Sequence, residues 1–191
     1  MAASRLTSLS ITSTMTSNDN PILTELTYDP RQGGLFYKDV RYLLIRPETL
    51  RDFQKAVEEA VGHERAGELL ATGGHTGGLL SSKKYKEVFG LSDREAVEFM
   101  CRMGGQIGWG AMRLVELDAT AGRLVVEVES SPFAAAYGPS DHGVCHFVRG
   151  VMAGMAEGLF GHPVHSVETH CLAMGHEQCR IVVGQNDLLS G

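Results

Sequence analysis

Apolar and polar residues change their spacing along the chain, and each change marks a predicted strand or helix. Residues 34–46, GLFYKDVRYLLIR, are rich in aromatic and branched side chains and predict one or two strands. Over residues 47–61 the apolar positions fall on one helical face, which predicts an amphipathic helix that begins with a proline. Gly62 is expected to end that helix.

A second helix is predicted over residues 63–71. The glycines of residues 73–78, GGHTGG, break its pattern and predict a hinge around His75. Ser92 and Glu95 have the spacing of a capping box, which predicts a helix that runs to Gly108 or Gly110.

The rest of the chain predicts a hairpin, a helix and two short strands. Residues 111–118 and 122–130 are strand-like and separated by a polar turn. A helix is predicted over about 143–159, followed by strands at about 164–170 and 179–183. This order predicts an α+β fold with helices packed on a mainly antiparallel sheet.

Glycines recur every four residues on one face of the helix predicted over 143–159, at Gly150, Gly154 and Gly158. Such a smooth stripe allows close approach of another helix, and we favour a partner helix within the same chain.

Composition and charge narrow the classes of function. The formal net charge of -6, with scattered lysines and arginines, argues against nucleic-acid binding. No apolar run is long enough to predict a membrane span. Residues 1–20 are rich in Ser and Thr and lack the apolar core of a secretory signal, so we expect a disordered tail, with an organellar transit peptide as the alternative. A single domain over 21–186, a short tail over 187–191 and a reducing, cytoplasmic location complete this expectation.

Four residues offer a candidate metal site: Cys145, Glu168, Cys171 and Cys179. Three thiolates and a carboxylate form a donor set that favours zinc over magnesium or calcium. Strict strand alternation places residues 168 and 171 on opposite faces, so a bulge or an early strand end must intervene. Spacing alone leaves an equal alternative, in which the cysteines are small core residues and Glu168 is solvated. Nearby histidines offer substitute ligands, namely His142, His146, His170 and His176, whereas Cys101 is expected in the core.

The run of residues 122–183, and above all its GPSDHGVC and ExxCx(7)C segments, resembles the 4-vinyl reductase domain. This small-molecule-binding domain also forms the sensor part of bacterial activators that respond to phenols and other aromatics. In those sensors the corresponding positions hold zinc, so the resemblance implies a Zn²⁺ site at Cys145, Glu168, Cys171 and Cys179. Four protein ligands fill a tetrahedron, which indicates a structural zinc rather than a catalytic one.

The resemblance also implies the fold of vesicle-tethering TRAPP subunits and assembly as a homodimer. The activators continue into an ATPase module and a DNA-binding motif, which have no counterpart after Val183, so we expect action alone, through a partner protein or as a piece of something larger.

Residues 99–112, FMCRMGGQIGWGAM, predict a ligand pocket, because flexible methionines and the only tryptophan stand beside several glycines. The same pattern is also typical of ordinary core. The candidate lining residues are His75, Met100, Met103, Trp109, Phe133 and Tyr137.

Two classes of function remain. The first is a zinc-stabilised domain that binds a small hydrophobic or aromatic ligand and signals through a dimer or a partner. The second follows the family name: a protein of bacteriochlorophyll synthesis that acts on or carries a 4-vinyl tetrapyrrole. We assign no catalytic residue, since no nucleotide-binding fingerprint is present and a reductase of this type would need an external reductant.

Overall fold

The computed structural model describes residues 20–185, which form two antiparallel sheets and a set of packed helices. In chain order the elements are α1 (Pro21–Glu25), β1 (Leu26–Asp29), β2 (Gly34–Tyr37), β3 (Val40–Tyr42), α2 (Pro47–Val61), α3 (His63–Phe89), α4 (Asp93–Gln106), β4 (Ala111–Asp118), β5 (Arg123–Glu129), α5 (Pro132–Tyr137), α6 (His146–Phe160), β6 (His165–His170) and β7 (Cys179–Gly184). The predicted α+β class is confirmed.

The larger sheet has the strand order β4-β5-β7-β6, and all its neighbours are antiparallel. Alternation along β5 turns Leu124, Val126 and Val128 into the hydrophobic core. On the opposite face the buried carboxylate of Glu127 forms ion pairs with Arg113 of β4 and Arg180 of β7. The predicted hairpin and both C-terminal strands are confirmed.

The smaller sheet is an N-terminal meander of β1, β2 and β3. Residues 34–46 contribute two of its strands, as predicted, but α1 and β1 had no clear signal because both are very short. The predicted tails fall mainly on residues 1–19 and 187–191, which lie outside the described residues. Asn20, assigned to the first tail, instead accepts a hydrogen bond from the Leu23 amide at the start of α1, and its Nδ2 donates to the carbonyl of Gln106 at 2.8 Å.

The predicted hinge around His75 is wrong, because α3 continues without a break through GGHTGG to Phe89. The glycines serve helix packing instead. A Cβ built on Gly74 or Gly78 would overlap backbone atoms of Phe147 or Val151 on α6. Close contact with α6 therefore outweighs the weak helix propensity of glycine.

The glycine stripe of α6 meets α3 from the other side. Gly150 lies against the carbonyl of Ala71 and Gly154 against the carbonyl of His75, so neither position has room for a side chain. The expectation of close packing within the same chain is confirmed.

Two helices differ from the expectations in detail. α2 forms where predicted and ends at Gly62 (φ 81°), yet none of its residues is buried and Phe53 is 59% exposed. α6 begins at His146, three residues later than predicted, with Cys145 as its N-cap. The capping box of Ser92 and Glu95 is present at the start of α4.

Candidate metal centre and ligand cavity

A compact cluster of possible metal ligands lies where α6 begins and the β6–β7 connection turns. Cys145 is the N-cap of α6, Glu168 lies in β6, Cys171 directly follows that strand, and Cys179 opens β7. One ligand atom from each of the four lies within 4.8 Å of all the others. The Sγ atom of Cys179 is 3.6 Å from that of Cys145 and 4.0 Å from that of Cys171. The cluster can therefore hold one metal ion.

A break in strand pairing brings Glu168 and Cys171 to the same side. The pairing between β6 and β7 shifts register between Glu168 and His170, and the strand ends before Cys171. A single 3₁₀ turn over Leu172–Met174 and a left-handed Gly175 (φ 87°) then return the chain to Cys179. The bulge or early strand end that the sequence required is present in both forms.

The electrostatics of the cluster fit a bound cation. Burial and the neighbouring Cys171 thiol raise the pKa of Glu168 to about 8. One oxygen of this carboxyl, Oε2, accepts a hydrogen bond from the Cys145 amide at 2.8 Å, while Oε1 is buried without a hydrogen-bond partner. Interaction with the Cys171 and Cys179 thiols raises the pKa of Cys145. A divalent cation would stabilise the charged forms of all four groups and complete the coordination of Oε1.

The nearby histidines surround this cluster without joining it. His142 stacks on His63 with ring centroids 4.6 Å apart and pairs with Asp141, and His176 lies beside the backbone of Cys171. Cys101 is 3% exposed on α4 and belongs to the hydrophobic core, as expected.

An apolar cavity of about 160 Å³ lies between α3, α4, α6 and β4, next to β3. Three residues predicted to line a pocket do so: Met100, Met103 and Trp109. The other lining residues are Tyr42, Gly77, Ser81, Tyr85, Gly104, Ile107, Met112, Phe147, Val151 and Met152. Four of them, Tyr42, Gly77, Ser81 and Tyr85, also border an outer surface groove, so the cavity and the groove share a wall.

The other three candidate pocket residues lie outside this lining. Phe133 packs edge-on against Trp109, with centroids 5.7 Å apart. The Tyr137 hydroxyl donates to Glu58 at 2.6 Å, and His75 Nε2 is 3.0 Å from a Glu157 carboxylate oxygen. The cavity residues of α3 and α6 were missed, because their apolar spacing is also that of ordinary core.

The structure and the sequence together define the class. Residues 124–185 match the model of the vinyl-4-reductase domain family, and this segment contains all four residues of the metal cluster. The C-terminal part of the chain is thus a domain of this family, and the resemblance seen in the sequence is confirmed.

Individual relatives extend the likeness beyond that segment. The chain is similar to the phenol regulator MopR of Acinetobacter guillouiae, with 23% identity over 170 residues. This match covers 84% of the chain but only 30% of MopR, so the chain spans less than a third of that regulator's length.

Solved structures show the same fold. The phenol-responsive sensory domain of the transcription activator PoxR, solved with phenol, superposes with a TM-score of 0.77 at 21% identity, covering 89% of each chain. A vinyl-4-reductase family protein from Methanocaldococcus jannaschii has a TM-score of 0.50 at 15% identity, over 76% of this chain and 83% of that one.

A trafficking protein particle complex subunit 3 from Naegleria fowleri, covalently bound to palmitic acid, has a TM-score of 0.52 at 13% identity. It matches over 76% of this chain and 98% of that one. The expected TRAPP-subunit-like fold is confirmed. Among the described residues, no helix has both the length and the apolar character to cross a membrane.

Proposed function

We propose that this chain is a zinc-stabilised sensor domain that binds one small hydrophobic or aromatic molecule in its core cavity. The observation that carries the proposal is the cavity of about 160 Å³, lined by methionines and by Trp109. An engineered apolar cavity of about 150 Å³ in another protein stays dry and binds benzene, so this volume suits a single aromatic ring. Methionine side chains can adjust to the shape of such a ligand.

The relatives support the same class of ligand. MopR is a phenol regulator, and the PoxR sensory domain was solved with phenol. The cavity belongs to the part of the fold that this chain shares with PoxR.

Zinc is the metal we assign to Cys145, Glu168, Cys171 and Cys179, because three sulfur donors and one carboxylate suit it better than a hard cation. With four protein ligands the ion would be structural, joining the start of α6 to the ends of β6 and β7. Its contribution would be to folding and rigidity, and we assign it no reaction.

The helix α6 connects the two sites. Its N-cap, Cys145, belongs to the metal cluster, and Phe147, Val151 and Met152 line the cavity one to two turns later. Zinc would therefore fix the helix that forms one wall of the ligand site.

An exposed apolar surface offers a route for output. Leu43 and Leu44 are 75% and 87% exposed in the segment between β3 and α2, and Phe53 of α2 is exposed beside them in sequence. We propose that a homodimer partner or a signalling protein covers this surface. The functional unit would be a single domain over residues 21–186 that acts in the cytoplasm.

The alternative, a protein that acts on or carries a tetrapyrrole, gains no support from the cavity. A four-ring macrocycle is several times larger than one aromatic ring and does not fit about 160 Å³.

Tryptophan fluorescence tests the proposed ligand site. Trp109 is the only tryptophan and lines the cavity, so phenol should change its emission saturably. Free tryptophan amide, titrated in parallel, corrects for collisional quenching, which does not saturate. A response that only parallels the free amide, across a panel of single-ring compounds, would contradict the proposal.

A further inference from the structure

One end of the cavity carries hydroxyl groups, and the rest of its lining is apolar. Ser81 and Tyr85 lie one turn apart on α3, and Tyr42 reaches the same place from β3. The Tyr85 hydroxyl interacts with those of Tyr42 and Ser81. Burial, together with the Tyr42 hydroxyl, raises the pKa of Tyr85, so this group stays neutral across the physiological pH range.

No charged side chain lines the cavity within the described part of the chain. The nearest cations, Lys83 and Lys84, border the outer groove, and Lys84 forms an ion pair with Asp39 at 2.7 Å. A carboxylate ligand inside the cavity would thus lose its hydration without gaining an opposite charge, which is costly.

Hydroxyl groups in mutual contact keep spare hydrogen-bonding capacity. Each has one proton to donate and two lone pairs, and its proton rotates to suit its neighbours. Three such groups at one end of an apolar cavity can both donate to and accept from one ligand atom.

We propose that Tyr42, Ser81 and Tyr85 select a neutral single-ring ligand that carries one hydroxyl or similar uncharged polar group, and that they reject its anionic counterparts. The inference rests on the proposed function and specifies the ligand class for the same cavity. Tyr85, the most deeply placed in contact with both other hydroxyls, is the main specificity-determining residue.

Three probes of similar size separate the possibilities: phenol, toluene and benzoate. Toluene replaces the hydroxyl of phenol with a methyl group, so the two differ mainly in hydrogen bonding. Calorimetric titration of the whole chain should show phenol binding at least as tightly as toluene, and benzoate at least about tenfold more weakly than phenol. Without hydroxyl partners in the cavity, burying the phenol hydroxyl would be penalised and toluene would be preferred.

The variant Tyr85→Phe should weaken phenol binding by about 3- to 10-fold and change toluene binding by less than about twofold. Ser81→Ala, a smaller change on the same helix, should act in the same direction. Tyr28→Phe removes a hydroxyl that is 67% exposed on β1 and should alter neither affinity. Melting temperatures of all variants show whether each remains folded.

The outcomes are distinguishable. If all three probes fail to bind the wild-type chain, the proposed function fails and this inference falls with it. If the probes bind but toluene exceeds phenol by tenfold, or Tyr85→Phe weakens both equally, the cavity is a ligand site and the hydroxyl selection is refuted.

Discussion

Single residues of the metal cluster show how much chemistry a sequence can reveal. The donor types and the ExxCx(7)C spacing indicated which residues to group, and the structure brings their ligand atoms within 4.8 Å of one another. The spacing left a core interpretation equally open, because burial of Cys145, Cys171 and Cys179 fits either role. The unpaired Oε1 of Glu168 is the detail that favours a cation, and only three-dimensional structure reveals it.

Replacing one thiol ligand should separate the metal site from simple burial. We expect Cys171→Ser to lose most bound zinc and to lower the melting temperature by about 10 °C, since a structural metal contributes directly to folding. Elemental analysis and calorimetry measure the two effects. Cys101→Ala is the matched control, as it alters a buried cysteine outside the cluster and should leave zinc content unchanged. Full zinc occupancy in Cys171→Ser would remove that residue from the site.

Among the elements, α3 shows where local pattern fails. Glycine is a poor helix former, so GGHTGG predicted a hinge, yet the helix crosses it without interruption. The reason lies in α6, whose backbone comes too close to Gly74 and Gly78 for any side chain. The stripe on α6 itself was interpreted correctly because its four-residue spacing keeps one helical face. On α3 the adjacent glycines hid the same four-residue spacing.

Neighbouring glycines of α3 provide a direct test of this packing. Gly74→Ala should lower the free energy of unfolding by about 3 kcal/mol, because the methyl group would overlap the Phe147 carbonyl. A Cβ at Gly73 meets no atom within 4 Å, so Gly73→Ala should raise that free energy by about 0.5 to 1 kcal/mol. Chemical denaturation measures both. Equal effects at the two positions would show that α3 and α6 are not packed as described.

Short elements and distant contacts limited the prediction of the remaining fold. The alternation along β4 and β5 was strong enough to predict their hairpin, whereas α5 has only six residues and was missed. The apolar face of α2 predicted burial that the chain alone does not provide, since Phe53 remains exposed. A partner surface, which the sequence pattern cannot distinguish from a core, would account for that face.

In the molecule as a whole, the cavity depends on parts of the chain far apart in sequence. The Met and Trp positions of α4 and the following turn were found from composition, but Tyr42, Tyr85 and Phe147 come together only through the packing of β3, α3 and α6. No local signal distinguishes these residues from core. The zinc ligands and the cavity lining meet on α6, so metal binding and ligand binding are expected to stabilise the same unit.

Native mass spectrometry of the whole chain, purified without added metal and titrated with phenol, tests the central claim most directly. We predict one zinc per chain and a saturable mass increase of one phenol per chain, both lost on denaturation. A metal-free chain that gains no mass at any phenol concentration would contradict the account of a zinc-stabilised sensor domain.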